Sequence, residues 1–92
     1  MSQDLPSSLR LRLITSRSLL ADVDVEEVSI PGLDGYLGIL PGHRELFMAL
    51  GPGLVTYRTG QTGESFPVRG GYAEVGPELV VVFAELSEDE EG

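Results

Sequence analysis

The sequence predicts an all-β domain, a two-layer antiparallel β-sandwich of about 8–10 short strands. Twelve glycines and six prolines divide the 92 residues into apolar runs that are too short for ordinary helices. Several runs alternate apolar and polar residues, which is the period of a strand with one buried face. Turn signals separate the runs every ~8–12 residues, a spacing that is typical of sandwiches and barrels.

The N-terminal part of the chain predicts three strands. Residues 9–14 alternate leucine with arginine and predict the first of them. Residues 19–30 are apolar at mixed spacings, so we expect two strand segments. A kink or bulge should separate these segments near residues 24–27, where the alternation slips by one residue.

A hairpin is predicted next. We expect Pro31-Gly32 to end the preceding strand. Asp34-Gly35 predicts a tight turn, because glycine accepts the positive φ that such turns need. Residues 36–40 then return as the partner strand.

Residues 43–50 are the single segment for which a short helix is predicted. Leu46, Phe47 and Leu50 follow each other at helix-like offsets. Glycines on both sides limit the segment to two turns, about 12 Å.

Two further hairpins are predicted in the C-terminal half. They pair residues 54–57 with 65–68, and residues 72–75 with 79–83. The last strand is apolar on both faces, which predicts a central position in a two-layer structure. We expect the acidic residues that follow it to oppose aggregation of this strand.

Composition excludes several classes of site. The chain has no cysteine, no lysine and one histidine, so thiolate and multi-histidine metal sites, disulfides and Schiff bases are excluded. Fifteen acidic residues against six arginines give a formal charge of −9, which disfavours nucleic acids and anionic membrane surfaces as partners. We find neither a membrane-spanning stretch nor a signal peptide, and expect the chain to stay in the compartment where it is made.

The domain is expected at residues 9–85, after an N-terminal extension at residues 1–8. Residues 86–92 form an acidic tail without an apolar period, and we expect this tail to be disordered. No internal repeat or linker divides the chain.

Three features that could indicate a catalytic or binding site have simpler explanations. No helix follows Gly32, Gly35 and Gly38, so tight turns explain them better than a phosphate cradle does. His43 lacks a nucleophile motif, and a local hydrogen bond or interface contact explains it better than base catalysis. The carboxylates at residues 26–27 should point to opposite faces of a strand and act on no common substrate.

Apolar side chains occupy two places where polar ones are expected. Leu33 and Tyr36 flank the Asp34-Gly35 turn, and loops on a rigid scaffold often carry recognition. Either they form a contact surface or one of them folds back onto the sheet. Residues 46–48 are consecutive apolar residues that cannot all face one core, so at least one should cover a partner.

Four segments together resemble one known family. They are IPG at residues 30–32, GYLGILPGH at 35–43, LGPG at 50–53 and RGGYAEV at 69–75. In this order and spacing they resemble the N-terminal β-sandwich of the epsilon subunit of F-type ATP synthases, over residues 9–85. The chain departs from the family's usual residues at Glu45 (often proline), Val23 (often glycine), Arg69 (often serine) and Tyr36 (often polar or acidic).

The resemblance implies a non-catalytic rotor subunit on the cytoplasmic face of the bacterial inner membrane, peripheral and without a cofactor or metal. In that family the sandwich binds the gamma subunit and the ring of c subunits, and couples proton-driven rotation to ATP synthesis. The family's ring-facing loop corresponds to Leu33, Asp34, Gly35 and Tyr36. Its gamma-facing surface includes the positions of Thr15, His43 and Met48.

Two other classes remain open beside this interpretation. One is a free-standing sandwich that acts as an adaptor outside any synthase. The other is a small β-fold enzyme or sugar-binding domain, which would need a concave pocket with converging polar groups. The helical hairpin that follows the sandwich in the family, and binds ATP in some members, has no counterpart in this sequence, so we expect no ATP binding.

Overall fold

A computed structural model of the chain describes residues 7–86. These residues form nine strands and no helix, which confirms the all-β prediction. The strands are β1 (Leu9–Ile14), β2 (Leu19–Val25), β3 (Glu27–Gly32), β4 (Gly35–Ile39), β5 (Leu46–Leu50), β6 (Gly53–Thr59), β7 (Thr62–Val68), β8 (Gly70–Val75) and β9 (Leu79–Glu85). The expected extension and acidic tail lie outside the described residues, except for Ser7, Ser8 and Leu86.

The strands form one curled sheet that folds into two layers. Hydrogen bonds connect them in the order β2-β1-β9-β8-β5-β3-β6-β7, and β4 pairs with the free side of β3. Strands β3 and β5 share a single pair, Gly32 with Leu50, so the sheet bends at this junction. We call β2-β1-β9-β8-β5 the first sheet and β4-β3-β6-β7 the second. All pairs are antiparallel except β1–β9, which is parallel.

One aliphatic core lies between the two sheets. Alternate residues of each strand point into it, as the period-2 pattern predicts. On β1 the buried residues are Leu9, Leu11 and Leu13, and on β9 they are Val80, Val82 and Ala84. The second sheet contributes Val28, Ile30, Ile39, Val55 and Val68 to the same cluster. Within residues 7–86 the core buries no polar or charged side chain.

The break expected between the second and third strands is present. Strand β2 ends at Val25 and β3 begins at Glu27. Between them, the N–H of Glu26 donates to the carbonyl of Arg58 at 2.8 Å, which ties the break to β6.

The third strand ends at Gly32, so the predicted strand end at Pro31-Gly32 is confirmed to within these two residues. Strand β3 continues through both residues, which face Tyr36 and Gly35 on β4. The φ of proline is compatible with an extended strand, and the Pro31 carbonyl accepts a hydrogen bond from the N–H of Gly51 at 2.9 Å. The hairpin itself forms as predicted.

The prediction of a helix within residues 43–50 is wrong. Leu46–Leu50 is strand β5, antiparallel to β8. In a segment this short a helix is marginal, whereas all five residues lie in register with β8. Phe47 and Ala49 face outward, and Leu46 and Met48 pack against the core.

The two C-terminal hairpins are confirmed as β6–β7 and β8–β9. Strand β9 lies between β1 and β8, the central position that its apolar sequence predicts.

Candidate functional site

The β3–β4 turn projects two large apolar side chains into solvent. Leu33 and Asp34 form the turn, and Gly35 follows with φ of 132°, in the region that favours glycine. Leu33 is 71% exposed and Tyr36 is 60% exposed. We call residues 33–36 the hairpin tip.

Tyr36 leans across the outer face of the second sheet. Its hydroxyl accepts a hydrogen bond from the N–H of Leu54 at 2.9 Å. A β-carbon placed on Gly53 would collide with this hydroxyl and lie 2.8 Å from Cβ of Pro31. Tyr36 therefore folds back onto the sheet in part, whereas Leu33 remains the more exposed of the two side chains.

An open groove of about 470 Å³ lies beside the hairpin tip. The tip residues line it together with Leu37 on one side and Leu46, Met48 and Ala49 on the other. The Cε atom of Met48 lies 2.9 Å from the position that a β-carbon on Gly32 would occupy. Asp34 is the one charged residue among the lining residues, so the groove is largely apolar.

Thr15 organises the turn between β1 and β2. Its hydroxyl accepts hydrogen bonds from the N–H groups of Arg17 and Ser18, both at 3.1 Å. Its own N–H donates to the Ser18 carbonyl at 2.8 Å. Thr15 also borders a smaller groove of about 260 Å³, which Tyr72 and Phe83 line as well.

His43 lies half-buried in the loop between β4 and β5. Its ring Nδ1 is 2.8 Å from the carbonyl oxygen of Arg44, to which it donates as the Nδ1–H tautomer. The neighbouring Gly42 N–H donates to the Pro77 carbonyl at 2.9 Å and holds this loop against the β8–β9 turn. The local hydrogen bond expected for His43 is thus present.

The sequence predicts two surfaces, the hairpin tip and a second surface with Thr15, His43 and Met48. In the structure the three residues of the second surface lie in three different places. The structure brings Met48 together with the hairpin tip. Thr15 follows β1 near the C-terminal end of β9, whereas the His43 loop lies at the turn before β9 begins. Because residues 79–83 span about 13 Å, Thr15 and His43 lie at opposite ends of the first sheet.

An aromatic row on the outer face of the first sheet was not predicted as a unit. It consists of Phe47, Tyr72 and Phe83, with ring centroids 5.4 Å apart for the first pair and 4.8 Å for the second. Phe47 is 64% exposed, in agreement with the expectation that one of residues 46–48 leaves the core. The signal for Phe83 was available, because the last strand is apolar on both faces.

Comparison with known proteins identifies the family. Residues 8–90 match the family model for the ATP synthase delta/epsilon chain, β-sandwich domain. The chain belongs to this family. The resemblance found in the sequence is therefore confirmed.

Two curated relatives of the delta/epsilon family show how much of a longer protein the chain represents. The ATP synthase epsilon chain of Solibacter usitatus is 39% identical over 84 residues, which cover 91% of this chain and 63% of the relative. That of Moorella thermoacetica is 37% identical over 86 residues, with coverage of 92% and 64%. The chain thus spans less than two thirds of these relatives.

Solved structures show the same delta/epsilon fold. A chain in the Euglena gracilis mitochondrial ATP synthase (OSCP/F1/c-ring) superimposes with a TM-score of 0.82 at 22% identity, covering 91% of this chain and 54% of that one. A chain in the central stalk/c-ring of the Tetrahymena thermophila mitochondrial ATP synthase gives 0.66 at 18% identity, covering 88% and 66%.

Ion pairs connect strands β1 and β2 on the outer face of this delta/epsilon-type sandwich. Arg10 binds Asp22 at 2.7 Å and Asp24 at 3.1 Å, and Arg12 lies 3.5 Å from Asp22. The hydrogen bond from Arg10 lowers the pKa of Asp22 below its ordinary value, and the same bond raises the pKa of Arg10. These pairs fix β2 against β1.

The expectation that the carboxylates at residues 26–27 diverge is wrong. Glu26 and Glu27 each bind one nitrogen of Arg58 at 3.1 Å. They converge because Glu26 lies in the break between two strands, where side chains do not alternate. Their role is to join that break to β6.

Within residues 7–86, no three histidine, cysteine, aspartate or glutamate residues come close enough together to hold a metal ion. The same part of the chain contains no helix that could span a membrane.

Proposed function

We propose that this chain is the sandwich part of an epsilon-type rotor subunit in a rotary F-type ATP synthase. Its match to the delta/epsilon family over residues 8–90 carries the proposal and favours it over a free-standing adaptor. The chain performs no catalysis itself. As a peripheral subunit on the cytoplasmic face of the bacterial inner membrane, it couples proton-driven rotation of the c-ring to ATP synthesis through gamma.

The hairpin tip is the proposed c-ring contact. Leu33 presents an apolar side chain that is 71% exposed, and exposed apolar groups on a rigid turn are typical of interfaces. Asp34 adds one charge, Gly35 gives the turn its shape and Tyr36 holds it against β6. Both structural neighbours belong to ATP synthase assemblies that include a c-ring.

The gamma contact is proposed at Thr15, His43 and Met48. Thr15 and His43 mark the two ends of the first sheet, so a subunit that touches both runs along that sheet. Met48 lies beside the hairpin tip, where this contact meets the one with the c-ring.

A stiff body suits this role. Torque passes through an object only as far as the object resists deformation, and close-packed interiors have low compressibility. The two sheets enclose one aliphatic core, and β9 pairs on both sides. We expect no ATP or other cofactor to bind the chain.

The test is ATP-driven proton pumping by a synthase reconstituted with the Leu33→Glu variant. We expect pumping to fall severalfold while ATP hydrolysis is retained, because the contact with the ring is lost but the catalytic sites are intact. Gln61→Glu is the matched control, since Gln61 is exposed in the turn between β6 and β7, away from the hairpin tip and outside the proposed gamma contact. Full coupling in Leu33→Glu would contradict the tip contact, and a chain that fails to assemble with gamma would contradict the proposed function.

A further inference from the structure

The hairpin tip contains the single Asp-Gly pair of the chain, Asp34-Gly35. An aspartate carboxyl is open to attack by the backbone nitrogen of the next residue, which closes a five-membered succinimide ring. Glycine in that next position favours the attack, because it has no side chain to hinder the approach. In a folded protein the reaction also requires an accessible carboxyl and room for the ring.

The Asp34 carboxyl is accessible. Asp34 is exposed in the turn, and among residues 7–86 it has no hydrogen-bond or ion-pair partner. No contact of this kind therefore holds the carboxyl away from the backbone of the turn. Exposed turn tips are also the parts of a domain in which the backbone moves most readily.

The fold leaves room for a ring at this junction. A β-carbon placed on Gly35 would meet no heavy atom within 4 Å other than those of its chain neighbours. Gly35 is itself exposed, so no neighbouring strand covers the nitrogen side of the Asp34–Gly35 bond.

The other described aspartates differ in each respect. Asp22 and Asp24 lie on strand β2, and a valine follows each of them. Arg10 binds Asp22 at 2.7 Å and Asp24 at 3.1 Å. Strand pairing and the guanidinium therefore hold both carboxylates in place, which makes these two residues internal references for Asp34.

We propose that Asp34 is a site of spontaneous isomerisation to isoaspartate in the folded chain. The Gly35 nitrogen attacks Cγ of the protonated Asp34 carboxyl, a C–N bond forms, and the carboxyl OH leaves as water with the proton of that nitrogen. Water then adds to the main-chain carbonyl carbon of Asp34, and the bond from this carbon to the Gly35 nitrogen breaks. Gly35 is thereafter linked through Cγ, the former main-chain carbonyl is a carboxylate, and the mass of the chain is unchanged.

The product alters the hairpin tip. It lengthens the main chain of the turn by one methylene carbon, just before Gly35 pairs with Gly32 at the end of the hairpin. Tyr36 follows directly and accepts the hydrogen bond from the N–H of Leu54. We expect the longer turn to displace Tyr36 and weaken this bond. The inference goes beyond the proposed function and does not depend on it.

The test is incubation of the folded chain in H₂¹⁸O at neutral pH and 37 °C for about four weeks. Mass spectrometry with electron-transfer fragmentation then distinguishes isoaspartate from aspartate at each position. We expect isoaspartate with one solvent oxygen at Asp34, and less than about a tenth as much at Asp22 and Asp24. Hydrogen exchange at the Leu54 amide should accelerate in the aged chain.

Two controls make the outcome decisive. Asp34→Glu keeps the charge but would need a six-membered ring, so we expect neither isomerisation at the tip nor faster exchange at Leu54. A peptide of residues 30–38 reports the reaction without the fold, and the folded chain should react within about threefold of its rate. The inference is overturned if only the peptide reacts, if Asp22 and Asp24 isomerise as fast as Asp34, or if aged Asp34→Glu shows the same acceleration at Leu54. No synthase component is present, so the result is independent of the c-ring test.

Discussion

The hydroxyl of Tyr36, at the hairpin tip, accepts a hydrogen bond from the N–H of Leu54 at 2.9 Å, 18 residues along the chain. The bond joins the β3–β4 turn to the first residues of β6, so the tip is fixed to the second sheet at a point beyond its own hairpin. Gly53 leaves the space that the tyrosine ring needs.

Removal of this hydroxyl should loosen the tip without unfolding the domain. We expect Tyr36→Phe to lower the free energy of unfolding by about 0.5–1 kcal/mol, because one partly exposed hydrogen bond is lost. Urea unfolding measures this, and hydrogen exchange at the Leu54 amide should accelerate. Tyr72→Phe is the control, since the Tyr72 hydroxyl has no hydrogen-bond partner among the described residues. Equal effects of the two variants would contradict the role of the bond.

Gly71 is expected to be the glycine least tolerant of substitution. Its φ is +121°, and a β-carbon there would collide with the carbonyl oxygen of Phe83 on the neighbouring strand. We expect Gly71→Ala to cost more than about 3 kcal/mol, or to prevent folding, because both backbone strain and a backbone clash result. Gly76→Ala should stay within about 0.5 kcal/mol, as its nearest neighbour would be 3.6 Å away. Denaturant unfolding measures the free energy of unfolding of both variants. A loss for Gly71→Ala as small as that for Gly76→Ala would refute the prediction.

The Arg10–Asp22 ion pair should make stability depend on pH. The pKa of Asp22 is lowered in the folded chain, so the pair stabilises the fold above the ordinary value of 3.8 and loses this effect as pH falls through the lowered value. We expect Arg10→Gln to be less stable than the unsubstituted chain at pH 6, and the difference to shrink below pH 4 and at high salt. Urea unfolding across pH measures it, with the exposed Arg44→Gln as control. If the stability difference between Arg10→Gln and the unsubstituted chain grew as the pH fell, it would contradict this role of the ion pair.

Two adjacent valines of β9 should respond differently to truncation. Val82 is fully buried between the sheets, and we expect Val82→Ala to cost about 2–3 kcal/mol through lost burial and a residual cavity. Val81 faces the outer side and is half-buried, so Val81→Ala should cost less than about 1 kcal/mol. Thermal or urea unfolding compares them. Similar losses would show that the assigned alternation of β9 is incorrect.

Local patterns explain which elements were predictable. The alternation in β1, the glycine-bearing turns and the apolar character of β9 are all properties of neighbouring residues. Strand β5 was missed because its five residues are stabilised by β8, whose residue Tyr72 lies 23 positions beyond Ala49. The helix-like spacing of Leu46, Phe47 and Leu50 is a local pattern, and the pairing with β8 overrides it.

In the candidate sites, too, features that depend on neighbouring residues were predictable and features that depend on distant contacts were not. The exposure of Leu33 and of one residue in the 46–48 run followed from apolar residues in unexpected places. The position of Met48 beside Gly32, and the convergence of Glu26 and Glu27 on Arg58, depend on contacts between distant parts of the chain. No periodicity encodes such contacts, so they required the three-dimensional structure.

The parallel pairing of β1 with β9 has a consequence for how the molecule is made. Strand β9 is the last of the nine to leave the ribosome, yet β1 and β8 are bridged only through it. The β1–β2 hairpin therefore waits for residues 79–85 before it has a neighbour to complete its layer. Such long-range closure slows folding, and the first sheet is completed only after residues 79–85 have been synthesised.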